Sequence, residues 1–408
     1  MSDRPDPGAP GGATIPWRAG DPVPFGTAAR PGSARAALRR GLAWALAAHV
    51  VAHGVGLAVL ALMADTAGLD PVARLSIWDG GWYLRIAQDG YTGRLDLSSE
   101  SSGSLGFYPL YPLLIRGGSA LSGLAPGIVG VLLSEAAALV AAVGLYVLAA
   151  RLWSPQVGVA LVLLWSTQPL SIVLSMVYTE ALFTALAVWA LVLLHRRAWL
   201  GAGILALLAG LSRSSGLGVA AAVAGYAAWC WWRAESRQGR QWVGAALALA
   251  GTPLWWLWVG RHVGQLNAWF VVQDRIWGSR WDSGGYVLGL GVDLFRQQVR
   301  YSGDAVLVVT VTYVCLLLAA VLLVEAVARR VWWPLLVYAV VLLALTVGSA
   351  GFINAKLRFL VPIFPLLIPL ARVLARSDRR VQLLVAVLLI GGSAWFGAFL
   401  LVVWQYSI

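Results

Sequence analysis

The chain has 408 residues, of which 60% are hydrophobic and only 12% are charged, and its formal net charge is +12. A soluble domain carries about 25% charged residues, so this composition excludes an ordinary soluble protein and indicates an integral membrane protein. The basic residues fall mostly as short arginine clusters between apolar stretches rather than on one basic face, which argues against nucleic acid as a partner.

The N-terminal region differs in composition from the rest of the chain. Residues 1–37 are rich in Pro, Gly and Arg, which predicts a disordered cytoplasmic tail. The apolar stretch 41–62 is longer than the ~7–15-residue core of a signal peptide and lacks a clear A-x-A site, so we expect a retained first membrane span. Residues 38–408 are predicted to form one multispan membrane domain.

The remaining apolar stretches predict the fold class. A spanning helix needs ~20 mostly apolar residues, and we find about eleven candidates along the chain. They begin near residues 41, 127, 157, 180, 198, 215, 241, 304, 331, 357 and 381. Two long, less hydrophobic loops interrupt them at about 64–126 and 260–303. The sequence therefore predicts an all-α polytopic membrane protein, a helical bundle of about 11 transmembrane helices.

The arginines predict the orientation of this bundle, because loops on the cytoplasmic side of a membrane are enriched in basic residues. With eleven spans, the arginine clusters all fall on one side of the membrane. They are Arg39, Arg40, Arg151, Arg196, Arg197, Arg233, Arg237, Arg240, Arg329, Arg330, Arg372, Arg376, Arg379 and Arg380. We expect that side to be cytoplasmic, so both long loops and the C-terminus are predicted to be extracytoplasmic.

The first long loop contains WDGGWYLRIAQDGY, Trp78–Tyr91, which has two carboxylates beside the membrane. Asp79 either caps a helix that begins near Trp82 or acts as a general base beside a lipid-borne substrate. In the first interpretation, Trp82, Tyr83 and Ile86 form an amphipathic face in the membrane interface. Asp89 ends the same short helix and serves either structure or substrate hydroxyls.

Charged residues in or near the spans are costly and usually face a polar interior. One interpretation of Glu135 and Glu180 is that they pair with Arg213 or Arg358, which fall near the outer face, and this too predicts a polar cluster near that surface. Arg213 lies in a tight LSRSSG turn and is predicted to be buried in protein. Lys356 and Arg358, in NAKLRF, either snorkel to lipid phosphates or form a fixed site for an anionic group.

Three further features leave alternatives open. FYPLYP, Phe107–Pro112, is either an interfacial belt or a wall that contacts a sugar or a prenyl chain. WDSGGY, Trp281–Tyr286, echoes the first motif, either as a repeat or by chance. Upstream in the same loop, Gln273, Asp274 and Trp277 are candidates for acceptor contacts.

A metal or nucleotide site is not predicted. His49 and His53 are one helical turn apart, a spacing compatible with a metal, but no third ligand at matching depth is evident. The chain has no Walker A motif, Rossmann glycine pattern or HExxH motif. We therefore expect neither a metal nor a cofactor.

Five segments occur in the order found in a known family, and together they cover most of residues 78–370. They are WDGGWYLRIAQDGY, FYPLYPLL, SMVYTEALF, AGLSRSSGL and KLRFLVPIFPLLIPLA. Through them the chain resembles the PIG-V-type mannosyltransferases, relatives of the second mannosyltransferase of glycosylphosphatidylinositol synthesis. That family belongs to the GT-C class of multispan glycosyltransferases, which keep an acidic residue in the first outer loop and use a sugar carried on a polyprenyl phosphate.

This resemblance implies a mannosyltransferase, and displacement of a phosphate leaving group predicts that it inverts the anomeric centre. The composition, rich in Ala, Gly and Val with Lys356 as the only lysine, predicts a bacterial cytoplasmic membrane, and the arginine distribution places the active site on its extracytoplasmic side. Asp79 would be the catalytic base. The implied and inferred substrate-binding residues are Trp78, Tyr83, Asp89, Tyr108, Glu180, Arg213, Lys356 and Arg358. Its partners would be the bilayer, a polyprenyl-phosphate-sugar donor and a glycolipid or glycan acceptor. The alternatives are a GT-C enzyme for another polyprenyl-linked sugar, a lipid or solute transporter, and a membrane scaffold without activity.

Overall fold

The computed structural model describes residues 31–97, 99–235, 238–296 and 303–408. Within them the regular structure is helical, apart from one isolated β-bridge between Trp281 and Ser349. The predicted all-α class is confirmed. Residues 1–30 of the predicted tail, Arg237 and residues 297–302 of the second long loop lie outside the described residues.

A helix lies at each of the eleven predicted span positions. These helices are α1 (Pro31–Thr66), α5 (Pro126–Leu152), α6 (Pro155–Ser166), α7 (Glu180–His195), α8 (Trp199–Gly210), α9 (Gly216–Trp232), α10 (Gly239–His262), α13 (Gly303–Ala328), α14 (Trp333–Gly348), α15 (Ile353–Leu360) and α17 (Arg379–Val402). The first of them begins within the stretch predicted to be the tail, six residues before its expected end at 37.

The remaining helical elements connect these. They are α2 (Pro71–Arg74), α3 (Asp79–Asp89), α4 (Leu110–Ser122), α11 (Ala268–Arg275), α12 (Gly285–Phe295) and α16 (Ile368–Leu374), with the 3₁₀ segments η1 (Glu100–Gly106), η2 (Ser171–Leu174) and η3 (Phe364–Leu367).

Helix length separates the predicted spans into two groups. Five described helices, α1, α5, α10, α13 and α17, are long and apolar enough to cross a membrane. A sixth span would be formed by α15 together with η3 and α16, which bend by 68° at their junction. In contrast, α6 and α8 have 12 residues each, fewer than the ~20 that a span needs. The chain is therefore a helical membrane protein, and the number eleven stays a prediction.

Small residues bring neighbouring helices into backbone contact, as is common in membrane proteins. A Cβ atom added to Gly203 of α8 would lie 2.3 Å from the carbonyl oxygen of Gly244 in α10. One added to Gly251 would lie 2.4 Å from the carbonyl oxygen of Leu207. The α8–α10 contact therefore depends on glycine at these positions.

The two long connecting segments contain helices and are joined to each other. The predicted short helix that ends at Asp89 is α3, although it begins at Asp79 rather than near Trp82. From α11, Gln273 donates a hydrogen bond to the carbonyl of Gly106 over 3.3 Å. Just beyond α11, Trp277 donates to the carbonyl of Gly103 over 3.2 Å. Two of the three side chains considered for acceptor contacts thus hold the second segment against η1, whereas Asp274 lies 3.8 Å from Nε of Arg275 and 3.6 Å from Nη1 of Arg280.

A short irregular segment, Ser175–Thr179, lies buried within the bundle between η2 and α7. Irregular backbone inside a membrane protein needs partners for its polar groups, because lipid supplies none. The N–H of Val177 donates to the carbonyl of Leu75 over 2.9 Å, and the hydroxyl of Ser134 donates to the carbonyl of Tyr178 over 3.3 Å. We call Ser175–Thr179 the site segment, because it leads directly into the charged cluster described below.

Candidate functional site

Asp79 is the first residue of α3, and its carboxylate is paired with a cation from another part of the chain. Nη2 of Arg358, in α15, lies 2.5 Å from Oδ2 of Asp79. The cap position belongs to Trp78, which has a φ of 53° and makes no side-chain capping bond. The interpretation of Asp79 as a cap for a helix beginning near Trp82 is therefore wrong.

A second ion pair completes a cluster of four charges. Glu180 begins α7 and is fully buried, and its Oε1 is paired with Nη1 of Arg213. The same oxygen lies 3.8 Å from Nε of Arg358. The predicted pairing of Glu180 with Arg213 and Arg358 is confirmed. Two guanidiniums and two carboxylates thus form a neutral network that we call the charged cluster: Asp79, Glu180, Arg213 and Arg358.

Burial makes this network energetically demanding. Breaking a buried ion pair by removal of one partner costs about 3–5 kcal/mol, because the other charge is left unpaired in a medium of low dielectric constant. A bundle held together by apolar packing alone does not need such a network. Charged groups inside membrane proteins instead usually mark a functional site.

Uncharged side chains hold the cluster in place. Nη1 of Arg213 donates a hydrogen bond to Oγ1 of Thr179 over 3.0 Å, and the Tyr83 hydroxyl lies 3.3 Å from the same oxygen. The backbone N–H of Asp79 donates to the hydroxyl of Tyr178 over 3.3 Å. Burial raises the pKa of Tyr83 well above its ordinary value, so its phenol stays protonated and can act as a hydrogen-bond donor but not as a base.

Two aromatic rings contact the guanidiniums of the cluster. The ring centroid of Phe359 lies 5.3 Å from Cζ of Arg213 and 5.1 Å from Cζ of Arg358. The ring of Tyr178 lies 5.1 Å from the latter. Cation–π contacts of this kind strengthen when they are shielded from water. The two arginines are therefore fixed side by side, in an arrangement suited to an anionic group.

The structure does not bring Lys356 into this cluster. Its buried ammonium donates to the carbonyl and hydroxyl oxygens of Ser349, at 2.5 and 3.0 Å. Residues two apart on a helix point about 200° away from each other, so Lys356 and Arg358 lie on opposite sides of α15. The electrostatic partner of Lys356 is Asp282, in the second long segment.

Three other predicted residues have different surroundings. Asp89 is exposed at the far end of α3, about 15 Å from Asp79 along the helix axis, and does not join the cluster. Tyr108 is buried. It accepts a hydrogen bond from Trp256 over 3.1 Å and is hydrogen-bonded to Ser214, the residue that follows Arg213. Trp78 is half-buried at the start of α3.

The aromatic residues near α3 pack on one another. Trp82 stacks on Phe107 with ring centroids 5.8 Å apart, and the Trp277 ring lies 5.4 Å from that of Phe107. Tyr83 is buried against Phe107 and Tyr111. An amphipathic face of Trp82 and Tyr83 lying in the membrane interface is thus the wrong interpretation, because this face packs within the protein.

Glu135 pairs with a histidine rather than with an arginine, which corrects the prediction for that residue. Its Oε2 lies 3.1 Å from Nδ1 of His53. Among the residues that the structure describes, no group of three His, Cys, Asp or Glu side chains is placed to hold a metal ion.

An apolar cavity of about 100 Å³ lies on the α15 side of the bundle. Its walls include Leu357 and Leu360 from α15, Leu318 and Leu322 from α13, and Leu170 next to η2. Leu360 and Arg358 are two residues apart on α15 and point to opposite sides of it, so the cavity and the charged cluster lie on different sides of this helix.

Sequence reasoning missed Tyr178, Thr179 and Phe359 as members of the site. Thr179 and Phe359 are each adjacent to a charged residue that was identified, and Tyr178 is two residues from one, in YTE and RF. This closeness in sequence is a usable signal, although it does not show which neighbouring side chains contact the charged group.

No protein-family model matches the chain, and no curated protein matches it. Among solved structures, the chain is similar to the crystal structure of the Archaeoglobus fulgidus oligosaccharyltransferase in the apo form, with 13% sequence identity and a TM-score of 0.49. The similar region covers 88% of this chain and 55% of that one. The chain thus spans little more than half of that protein, and a similarity at this level assigns neither a family nor an activity.

Proposed function

We propose that this chain is a GT-C-type mannosyltransferase that transfers mannose from a polyprenyl-phosphate-mannose donor to a hydroxyl of a lipid- or glycan-linked acceptor. The observation that carries the proposal is the convergence of the charged cluster. Its members come from WDGGWY, SMVYTEALF, AGLSRSSGL and KLRF, four separate segments through which the chain resembles the PIG-V-type enzymes. A scaffold would not need these distant charges to meet.

The chemistry of the proposed reaction matches the groups in the cluster. The acceptor oxygen attacks the anomeric carbon while the bond from that carbon to the phosphate oxygen breaks, and the acceptor proton passes to Asp79. The phosphate leaves as an anion, which Arg213 and Arg358 stabilise. A single displacement inverts the anomeric centre, so a β-linked donor gives an α-mannoside.

The pairing of Asp79 with Arg358 fits this sequence of events. A carboxylate oxygen bound to a guanidinium is already used as an acceptor, so the acceptor hydroxyl has to compete with the cation for it. The phosphate of an arriving donor competes for the Arg358 guanidinium, and the exchange of partners leaves Asp79 free to accept a proton. Arg213 keeps Glu180 as its partner during this exchange. The donor thereby activates the base that its own transfer requires.

Two further observations support a lipid-linked donor at the extracytoplasmic face. We propose that the apolar cavity beside α15 receives part of the prenyl chain, although Leu360 in its wall points to the side of this helix opposite Arg358. The arginine-rich connections between spans favour the opposite face as cytoplasmic. The chain would then act at the outer side of a bacterial cytoplasmic membrane.

The test measures the transfer of labelled mannose from polyprenyl-phosphate mannose into lipid extract and protein. Membranes contain the wild-type chain, Asp79→Asn or Asp282→Asn at matched expression, with an acceptor-rich native extract. We expect label with the wild-type and Asp282→Asn chains and little with Asp79→Asn, and the labelled fraction identifies the acceptor. Equal label in all membranes, including ones without the chain, would refute the proposal. Label only from another polyprenyl-linked sugar would change the substrate but keep the reaction class.

A further inference from the structure

A second polar cluster lies at the start of the site segment, between α1 and α5, and consists of His53, Glu135 and Ser175. Nδ1 of His53 lies 3.1 Å from Oε2 of Glu135 and 3.2 Å from the hydroxyl oxygen of Ser175. His53 is buried, whereas the Glu135 side chain is 30% exposed. Because a carboxylate accepts, we assign the hydrogen to Nδ1, where Glu135 and the Ser175 oxygen share it, and the Ser175 hydroxyl in turn donates a hydrogen bond to Glu135. The charge of this acceptor makes the hydrogen bond stronger than one between neutral groups.

This cluster touches the beginning of the segment that carries part of the proposed active site. Ser175 is the first residue of the site segment, and Thr179 at its other end contacts Arg213. The bonds of Val177 and Tyr178 hold the middle of the segment to Leu75 and Ser134. The His53 contact joins the segment to the long helix α1.

We propose that His53, held by Glu135, is a positioning residue for the charged cluster. Through Ser175 it fixes the start of the site segment, and the segment in turn fixes Thr179, Glu180 and the Arg213 guanidinium. Side chains inside a bundle of low dielectric constant are well suited to this role, since an unmade hydrogen bond is costly there. The expected effect of His53 on sugar transfer rests on the proposed function, whereas its expected effect on the conformation of the site segment does not.

The alternative to positioning by Nδ1 is a role for the rest of the imidazole ring. Its Nε2 is buried and has no hydrogen-bond partner among the described residues. His53 lines a cavity of about 10 Å³ with Ser171, Ser175 and Ser393, which is close to the size of one water molecule. Space-filling, or a bond from Nε2 into this cavity, would make that side of the ring important instead.

Two substitutions separate these roles because they keep different halves of the ring. In His53→Asn the amide nitrogen takes the place of Nδ1, whereas in His53→Gln it takes the place of Nε2 and the side chain is closer in volume to histidine. Positioning by Nδ1 predicts that Asn is tolerated and Gln is not. Space-filling predicts the reverse order. His53→Ala serves as the variant that lacks both nitrogens.

The first readout is the kinetics of mannose transfer from polyprenyl-phosphate mannose. We expect His53→Gln and His53→Ala to raise the KM for the donor about tenfold, the effect of losing one hydrogen bond to a charged group, and His53→Asn to stay near wild type. A variant that merely folds poorly lowers Vmax and leaves KM unchanged, because fewer molecules are active. A change in Vmax alone would therefore count against positioning.

The second readout does not depend on activity. Hydrogen–deuterium exchange of the detergent-solubilised chain is measured over residues 171–180, with α10 as the internal reference. We expect faster exchange in that peptide for the Gln and Ala variants, with α10 unchanged. Faster exchange everywhere, or wild-type exchange in 171–180, would overturn the proposal. If the wild-type chain transfers no sugar, the proposed function fails and this exchange experiment still decides the role of His53.

Discussion

The segments Trp78–Tyr83 and Trp281–Tyr286 read WDGGWY and WDSGGY, and the chain uses their aspartates in opposite ways. Asp282 accepts hydrogen bonds from the backbone N–H groups of Gly284, over 3.0 Å, and Tyr286, over 2.6 Å. Its carboxylate thus satisfies donors at the start of α12. Asp79 lies inside the first turn of α3, and its carboxylate is directed to Arg358.

The difference follows from where each helix begins relative to its aspartate. In the second motif, Ser283 and Gly284 have φ values of 59° and 89°, and they turn the chain so that α12 begins three residues after Asp282. In the first motif, the positive φ falls on Trp78, and the helix begins at the aspartate itself. A carboxylate that already accepts hydrogen bonds from backbone N–H groups is poorly suited to accept a proton from a substrate. The two similar motifs therefore give one aspartate that caps a helix and one that is a candidate base.

Exchange of each aspartate for asparagine tests this contrast with the largest expected effect. Asp79→Asn removes the proton acceptor, and we expect the rate of mannose transfer to fall about 100- to 10,000-fold. Asp282→Asn keeps an oxygen that can accept a backbone hydrogen bond, so transfer should persist. The measurement is the initial rate of transfer in membranes with matched amounts of each variant. Loss of transfer in Asp282→Asn with full transfer in Asp79→Asn would reverse the assignment of base and cap.

The cations of α15 extend the comparison, since Arg358 pairs with Asp79 of the first motif, whereas Lys356 is hydrogen-bonded to Ser349, which forms a β-bridge with Trp281 of the second motif. Arg358→Lys keeps the charge but cannot reach Asp79 and Glu180 with two separate nitrogens. We expect kcat/KM for the donor to fall about 10- to 100-fold, as expected for one lost hydrogen bond between charged groups. Lys356→Met should lower stability while the kcat/KM of the folded fraction stays near wild type. A larger kinetic loss in Lys356→Met would place the donor phosphate at the second motif.

The fold and part of the site followed from simple properties of the sequence. Hydropathy located a helix at every predicted span position, because apolar stretches bounded by arginines leave few other arrangements in a bilayer. Opposite charges identified the partnership of Glu180 with Arg213 and Arg358, since buried charges need compensation. These predictions depend on composition and charge, which do not change with the details of packing.

Geometry decided the remaining points. Glu135 meets His53 rather than an arginine because the relative depth of α1 and α5 depends on their packing, which charge alone does not fix. The opposite directions of Lys356 and Arg358 follow from the helical register of α15, which an assignment by charge ignores. Thr179 and Tyr178 carry no charge, so only the path of the site segment reveals their contacts with Arg213 and Asp79.

Thermal unfolding sharpens the comparison with a smaller effect. Asp282→Ala leaves two backbone N–H groups at α12 without their acceptor, and loss of a helix cap costs about 0.5–2 kcal/mol. We expect a lower unfolding temperature in detergent for Asp282→Ala than for Asp282→Asn, because asparagine can still accept. Equal unfolding temperatures for the two variants would show that the cap bonds contribute little to stability.

The glycines that follow each aspartate give the smallest expected effect and separate folding from function. Gly284 has a φ of 89°, and an alanine there would cost about 1 kcal/mol, so Gly284→Ala should lower the unfolding temperature. Gly80 lies inside α3, and an added Cβ would meet the nearest atoms of Val177 at 3.5 Å, an ordinary contact. Gly80→Ala should therefore keep or slightly raise stability, because alanine favours a helix over glycine by roughly 0.5–1 kcal/mol. A loss of mannose transfer in this stable variant would show that transfer is sensitive to the packing of α3 against Val177 of the site segment, whereas full transfer would show that this packing tolerates a methyl group.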